Sequence, residues 1–366
     1  MTILKYRLYP HGTLGRILID LALYTIDRLE GSIEFNDYLT IKSIQGFINA
    51  LNTIYREIVA ETKGNPFPTT GNDNKVLSRK IHGFIKGNPY TIVDYVLQVL
   101  TKGGYKLLEE RIVAPSIMRV EFYEYSKKGY VSYGEFKEHP YRRASLLDIA
   151  LAVVGSYIAI SARLENRLYY LIPHPDYIDL AVIERLKEVL RDTIANYLAK
   201  GKEPDIIATY KLVREIKKLD VITRPIIGEL LVIEKSRNRF VMNSIYKLVS
   251  SNWDNLLSKL DDRTARMLDT LVYVTDDIIR RRGRAPISYN VLSHLYKYTV
   301  GSDESLYLAV RELIIIADNM RRAEEGCRIG EEWSVLFSSF KKYGVEAPSK
   351  LASILASRLS ELASRD

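Results

Sequence analysis

The chain has 366 residues, 47% of them hydrophobic, and its 53 Lys and Arg outnumber 45 Asp and Glu for a formal charge of +8. That size and apolar content exclude a disordered chain and leave room for two domains. The basic excess favours a polyanionic partner, and the single cysteine, Cys327, excludes an intramolecular disulfide.

Residues 3–9 alternate like a strand and lack the apolar core of a signal peptide. Leu14, Ile17, Leu18, Leu21, Ala22 and Ile26 put one apolar stripe on a helix over 14–29. A second helix runs to about Ala60, with Asn36 or Asp37 as its cap. The stretch 65–80 follows. Its two prolines, its glycine and its Asn and Asp residues between Asn65 and Asn74 predict an irregular loop. A basic run closes it: Lys75, Arg79 and Lys80, then His82 and Lys86. Asn88 and Pro89 open a helix through Leu100.

Alternation over 118–123, a turn at Lys127, Lys128 and Gly129, and a return strand over 130–136 predict a basic-tipped hairpin within 117–136. Ser145 caps a helix read as running to Leu164. Its most apolar part, 146–162, contains Asp148, two serines and Gly155 and falls short of the ~20 apolar residues of a bilayer span. A soluble cytoplasmic protein with no membrane partner is expected. Residues 167–172 read as a strand, and 180–198 and 205–217 as helices. The run 226–233 fits a buried strand or a helix, and periodicity leaves both open. Beyond about Lys235 only helices are expected, over 238–249, 253–279, 289–298, 303–323, 331–343 and 349–362.

The expected fold class is therefore α+β and predominantly helical. A mixed N-terminal domain over 1–234, with a small antiparallel sheet or hairpin, precedes an all-helical C-terminal bundle over 235–366. The 26 tyrosines against 2 tryptophans, with scarce glutamine, follow the compositional drift of hyperthermophile proteins.

The candidate chemistry is mostly that of polyanion binding. No zinc, Walker, dinucleotide or nucleophile-elbow pattern occurs, so no cofactor is expected. In the 65–80 stretch, Asn72 and Asn74 suit base edges, and Lys75, Arg79 and Lys80 suit phosphates. Lys127 and Lys128 at the hairpin tip suit either a nucleic-acid groove or a protected sheet edge. Arg280, Arg281, Arg282 and Arg284 fall within five residues between two predicted helices. A helix C-terminus favours one or two cations; four make a concentrated site for phosphate oxygens. Lys235, Arg237, Asn238 and Arg239 extend that set.

An enzymatic alternative rests on Pro204-Asp205 followed by Glu215-Ile216-Lys217. This matches the loose spacing of metal-dependent DNA nucleases, where carboxylates hold a metal and a lysine sits beside the scissile phosphate. Those sites use two neighbouring strands, whereas the residues between Asp205 and Lys217 have helical periodicity. A third alternative is a purely structural assembly subunit whose charge meets protein partners.

Four features of the layout belong together. They are the run 17–23 with an acidic spacer to Tyr38-Leu39-Thr40, the long helix ending at Tyr55, the stretch 67–75 (Phe-Pro-Thr-Thr-Gly-Asn-Asp-Asn-Lys), and the buried helix near 146–162 ahead of a helical C-terminal third. This layout resembles the large subunit of archaeal type I-A CRISPR interference complexes, the Cascade large-subunit family of antiviral defence. The resemblance covers most of the chain, and position by position it covers 67–75. It implies a non-enzymatic scaffold with no catalytic residues to carry over; the cysteine quartets of some relatives are missing. Such subunits help recognise the short motif beside target DNA, hold the crRNA-loaded assembly there, and recruit the helicase–nuclease. The implied partners are target DNA, crRNA, and the backbone, small and crRNA-end subunits. A target-DNA role extends to Asn72, Asn74 and Lys75.

Overall fold

The alternating start forms β1 (Leu4–Arg7), and the apolar stripe after it forms α1 (Leu14–Glu30). The computed structural model describes residues 4–30, 32–61, 65–120, 142–173, 180–195, 197, 203–218, 227–236, 239–247, 253–299 and 301–364. Two short strands that the sequence did not announce come next, β2 (Ile33–Phe35) and β3 (Tyr38–Ile41). They complete an antiparallel sheet in the order β1-β3-β2, with Leu4 and Ile33 both opposite Ile41. Asn36 and Asp37 lie in the turn between those strands rather than at a helix cap. The cap of α2 (Ile44–Glu61) is Ser43, whose hydroxyl accepts the Gly46 N–H at 3.1 Å.

The stretch expected to stay irregular through Asn74 instead starts a helix, α3 (Gly71–Lys80). Thr70 and Asp73 explain the early start, because each satisfies the backbone N–H of the other in a capping box. After α4 (Tyr90–Thr101) and the single turn α5 (Tyr105–Leu108), β4 (Arg111–Val113) pairs antiparallel with β5 (Arg143–Ser145). The first strand of the expected 117–136 hairpin is not formed where it is described: residues 116–119 make a turn. Its carbonyls have another use. Met118 O and Val120 O accept the Gly15 and Leu14 N–H groups at 3.1 and 2.8 Å, satisfying the start of α1. The rest of that hairpin, including Lys127 and Lys128, lies outside the described residues.

Helix α6 (Leu146–Ala159) is buried on every side, as its apolar composition demands. Asp148 sits fully buried near its start. The N–H groups of Ser145 and Tyr9 donate to its carboxylate at 3.1 and 3.2 Å. Burial pushes its carboxyl pKa up, and the hydrogen bonds from Ser145 and Tyr9 oppose that rise. Gly155 permits the close crossing with α1: a Cβ there would stand 1.8 Å from the Leu18 carbonyl oxygen.

The helix expected to reach Leu164 stops at Ala159, and β6 (Ile160–Leu164) replaces its last turn. Pairing across a two-residue turn decides this, since Arg163 and Leu164 meet Leu168 and Arg167 of β7 (Arg167–Pro173). The run left open between strand and helix is a strand, β8 (Ile227–Ser236), antiparallel to β7 from Arg167 opposite Glu234 onward. The helix expected over 238–249 is β9 (Arg239–Lys247), which closes a four-stranded sheet in the order β6-β7-β8-β9. Phe240, Val241, Ile245 and Tyr246 suit a pleated surface, and only two residues separate the strands, the spacing of a hairpin.

The remaining elements are helices: α7 (Leu180–Ile194), α8 (Glu203–Lys218), α9 (Trp253–Lys259), α10 (Asp262–Arg282), α11 (Ser288–Thr299), α12 (Glu304–Glu324), α13 (Glu331–Lys342) and α14 (Pro348–Ala363). The single helix expected over 253–279 breaks because Asp261 caps α10, its carboxylate accepting the Thr264 N–H at 2.8 Å. The chain is thus α+β and mostly helical. It divides into two units, Met1–Lys187 with Ile226–Ile245, and Glu188–Pro225 with Tyr246–Asp366. That division is discontinuous, unlike the single cut expected at 234/235. No helix among the described residues is long and apolar enough to cross a membrane.

Candidate nucleic-acid interface

Helix α3 sorts the candidate residues of the first unit onto two faces. At 100° per residue, Asn72, Lys75 and Arg79 fall within ~60° of one another, and all three are exposed. Asp73 is buried between them and the core. Its carboxylate accepts the Thr70 N–H at 2.8 Å, and the Ser116 N–H and hydroxyl at 3.1 and 3.0 Å. Asn74, ~200° round the helix from Asn72, is half-buried on the other side. The two asparagines read together in the sequence therefore point to different surroundings. Lys80 is ion-paired with Glu110. Lys75 and Arg79 have no carboxylate partner among the described residues.

Asn74 faces a pocket of about 170 Å³ assembled from stretches far apart in the chain. Asn65 and Thr69 come from the segment before α3, and Lys86 from the turn after it. Arg163 and Asn166 come from the β6–β7 hairpin, and Lys235 and Phe240 from β8 and β9. Asn65, Thr69, Arg163 and Asn166 are held in place. Asn65 donates through Nδ2 to Gly87 O at 3.2 Å, and its Oδ1 accepts the Phe67 N–H at 3.0 Å. The Tyr170 hydroxyl donates to Pro66 O at 2.9 Å, tying the same segment to β7. Gly87, at φ +79°, permits the left-handed turn that presents Lys86.

On the far wall, Glu165 takes φ 51° in the two-residue turn between β6 and β7, a conformation that strains a residue with a Cβ. Its carbonyl accepts from Arg163 Nε at 3.1 Å. Asn166 Nδ2 donates to Glu234 Oε1 and to Lys235 O, each at 3.2 Å, while the Lys235 N–H donates to Asn166 O at 2.8 Å. Thr69 Oγ1 donates to Asn74 Oδ1 at 2.8 Å, which orients that carboxamide. Among the described residues no carboxylate lines the pocket.

The arginine cluster of the second unit is differently placed. Gly283, at φ 67°, ends α10; Arg280, Arg281 and Arg282 ride its last turn, and Arg284 follows the glycine. Arg280 pairs with Asp276 at 3.1 Å, donates to the Asp192 and Thr193 carbonyls at 2.6 and 2.9 Å, and lies over the Tyr197 ring. Arg281 pairs with Asp277 at 2.8 Å. Arg282 and Arg284 share Glu331, at 3.1 and 4.0 Å. Every arginine of the cluster thus has a carboxylate, and Arg280 is a structural tie to α7. Arg239 is exposed at the start of β9, and Arg237 and Asn238 lie outside the described residues.

The residues of the nuclease alternative are not gathered. Asp205, Glu215 and Lys217 share one helix, α8, with Asp205 and Glu215 ~15 Å apart along its axis. Asp205 is fully buried and accepts from the Tyr246 hydroxyl at 3.0 Å. Glu215 pairs with Lys218 at 3.4 Å, and Lys217 donates to Ser258 Oγ at 3.0 Å. Among the described residues no group of three His, Cys, Asp or Glu side chains could hold a metal.

No protein-family model matches the chain, and no curated protein matches it. Arg163 and Asn166 are the pocket residues that sequence reasoning missed. The signal was there in the two-residue gap between Leu164 and Arg167, but the preceding apolar run concealed it.

Proposed function

We propose that this chain is a nucleic-acid-binding protein whose contact surface is built around α3, and that it serves as the non-catalytic large subunit of a CRISPR interference complex. One observation carries the first part. Lys75, Arg79, Lys86, Arg163 and Lys235, all in the first unit, have no carboxylate partner among the described residues, and they stand with Asn72 and Asn74 on α3 and in the pocket it borders. Phosphate oxygens satisfy such charges, and carboxamides bond base edges or sugars. The paired arginines at 280–284 are a secondary contact, strongest at Arg282 and Arg284, which share one exposed carboxylate.

The second part rests on the resemblance of the layout to the Cascade large-subunit family. In that setting crRNA pairing reads the target sequence, and protein reads a short flanking motif and duplex shape. This surface would then meet DNA beside the paired segment, with the other Cascade subunits and the helicase–nuclease as partners. The test has two arms. Labelled duplex and single-stranded DNA titrated with the full chain should bind with an affinity that falls linearly against log salt; salt-independent or absent binding overturns the first part. Adding the chain to a crRNA-loaded assembly of the other subunits should favour targets bearing the flanking motif. Equal affinity with and without that motif overturns the second part.

A further inference from the structure

The pocket that Asn74 faces has a chemistry narrower than nucleic-acid binding in general. Asn65 has both ends of its carboxamide engaged, and Asn166 uses its amide N–H groups on Glu234 and Lys235. What remains toward the pocket is chiefly donor: Asn74 Nδ2, the ammonium groups of Lys86 and Lys235, and the outer nitrogens of Arg163. Three cations with no carboxylate among the described lining residues call for an anion with several acceptor oxygens.

Size narrows the ligand further. A volume of about 170 Å³ lies below the ~300 Å³ of ordinary small-molecule sites. A whole nucleotide does not fit inside; a phosphoryl group with its first sugar atoms does.

We infer that this pocket is a socket for one phosphoryl group. The identity of its natural ligand as a nucleic acid rests on the reading above; the same chemistry comes from an internal phosphodiester or from a strand-terminal phosphate. A terminal phosphate, with a charge near −2 and three acceptor oxygens, matches three cations more closely than a singly charged diester.

Thermal unfolding of the full chain in inorganic phosphate, against sodium chloride at equal ionic strength, tests the socket without any nucleic acid. Phosphate should raise the midpoint by several degrees, and Arg163→Ala with Lys235→Ala should abolish the rise. Asn74→Asp is the guard against a folding artefact. It keeps the acceptor for Thr69 and the side-chain shape, yet sets a carboxylate against the anion, so it should remove the phosphate effect while the chain stays folded. A phosphate effect no larger than that of chloride, or one undiminished in both variants, overturns the socket.

Labelled single strands then separate the sources. Five-fold or greater preference for a phosphorylated end over a hydroxyl end, lost in Asn74→Asp, assigns the socket to strand termini. Equal binding of both ends, weakened about ten-fold in Arg163→Ala with Lys235→Ala, assigns it to an internal phosphodiester. If inorganic phosphate stabilises the chain but no strand binds, the socket stands and the nucleic-acid reading falls.

Discussion

Removing Lys75 and Arg79 together, as K75A/R79A, separates a nucleic-acid surface from an ordinary solvated helix face. The two side chains lie one turn apart on the exposed side of α3, with no carboxylate partner among the described residues. They are like charges at i and i+4, so their loss relieves a weak repulsion, and the stability of the fold should change by no more than ~0.5 kcal/mol. Binding should respond far more. Each neutralised phosphate contributes ~0.7 to the salt slope on a single strand and ~0.9 on a duplex. Without these two cations a log–log salt plot should therefore flatten by about 1.4 to 1.8. Extrapolated from 1 M to 0.1 M salt, that is about a 25- to 60-fold loss of affinity, or ~2 kcal/mol. Fluorescence anisotropy of a labelled oligonucleotide between 0.05 and 0.3 M salt (~six-fold range) reads both quantities. An unchanged slope would refute the assignment of α3 to the interface, whatever happens to affinity at one salt concentration.

Three further outcomes follow from the packing. Arg280→Ala should lower the stability of the second unit by ~2 kcal/mol, because two carbonyls and Asp276 lose a donor, while leaving the salt slope of binding nearly intact; a flattened slope with unchanged stability would reverse the structural role given to Arg280. Gly155→Ala forces a Cβ to within 1.8 Å of the Leu18 carbonyl, so backbone has to move. The destabilisation should reach the upper end of overpacking, ~3 kcal/mol, seen as a fall of ~6–12 °C in the unfolding midpoint of the first unit; a parent-like midpoint would disprove the close crossing of α1 and α6. The Thr264 N–H and hydroxyl hold the Asp261 carboxyl below its ordinary value, so its cap contributes above the unfolded pKa and is lost as pH falls through the folded one. Asp261→Asn keeps a good cap and should flatten that part of the acid unfolding curve; an acid limb as steep as the parent's would count against it.

Long periodic segments were legible in the sequence, and short paired ones were not. Helices α1, α2, α4 and α10 to α14 carry an apolar stripe over 12 or more residues, which fixes both their type and their buried face. Strands β2 to β6 have three to five residues each, too few for alternation to register. Ile160 to Leu164 shows the physical reason. Taken alone, that run continues an apolar helix; hydrogen bonds to β7 make it a strand. The same blindness hid half of the pocket, because Arg163 and Asn166 gain meaning only when the hairpin brings them to Asn74 and Lys86. Thr70-x-x-Asp73 was an available helix-start signal, and the prolines around Phe67 obscured it.

The contrast between the two basic stretches turns on pairing rather than on charge density. Arg280, Arg281, Arg282 and Arg284 are the densest cations in the chain, yet Asp276 and Asp277 precede two of them by one helical turn, and Glu331 serves the others. That i to i+4 spacing is itself visible in the sequence and marks much of the cluster as internally compensated. Lys75, Arg79, Lys86, Arg163 and Lys235 are sparser along the chain, and no described carboxylate pairs with them. A polyanion gains little from a cation that must first give up a carboxylate, because the released acid then needs a new partner. Neutralising an unpaired cation carries no such penalty and releases counterions from the strand as well. The weaker-looking stretch is for that reason the stronger candidate, and the pocket beside it is where the two halves of the surface meet.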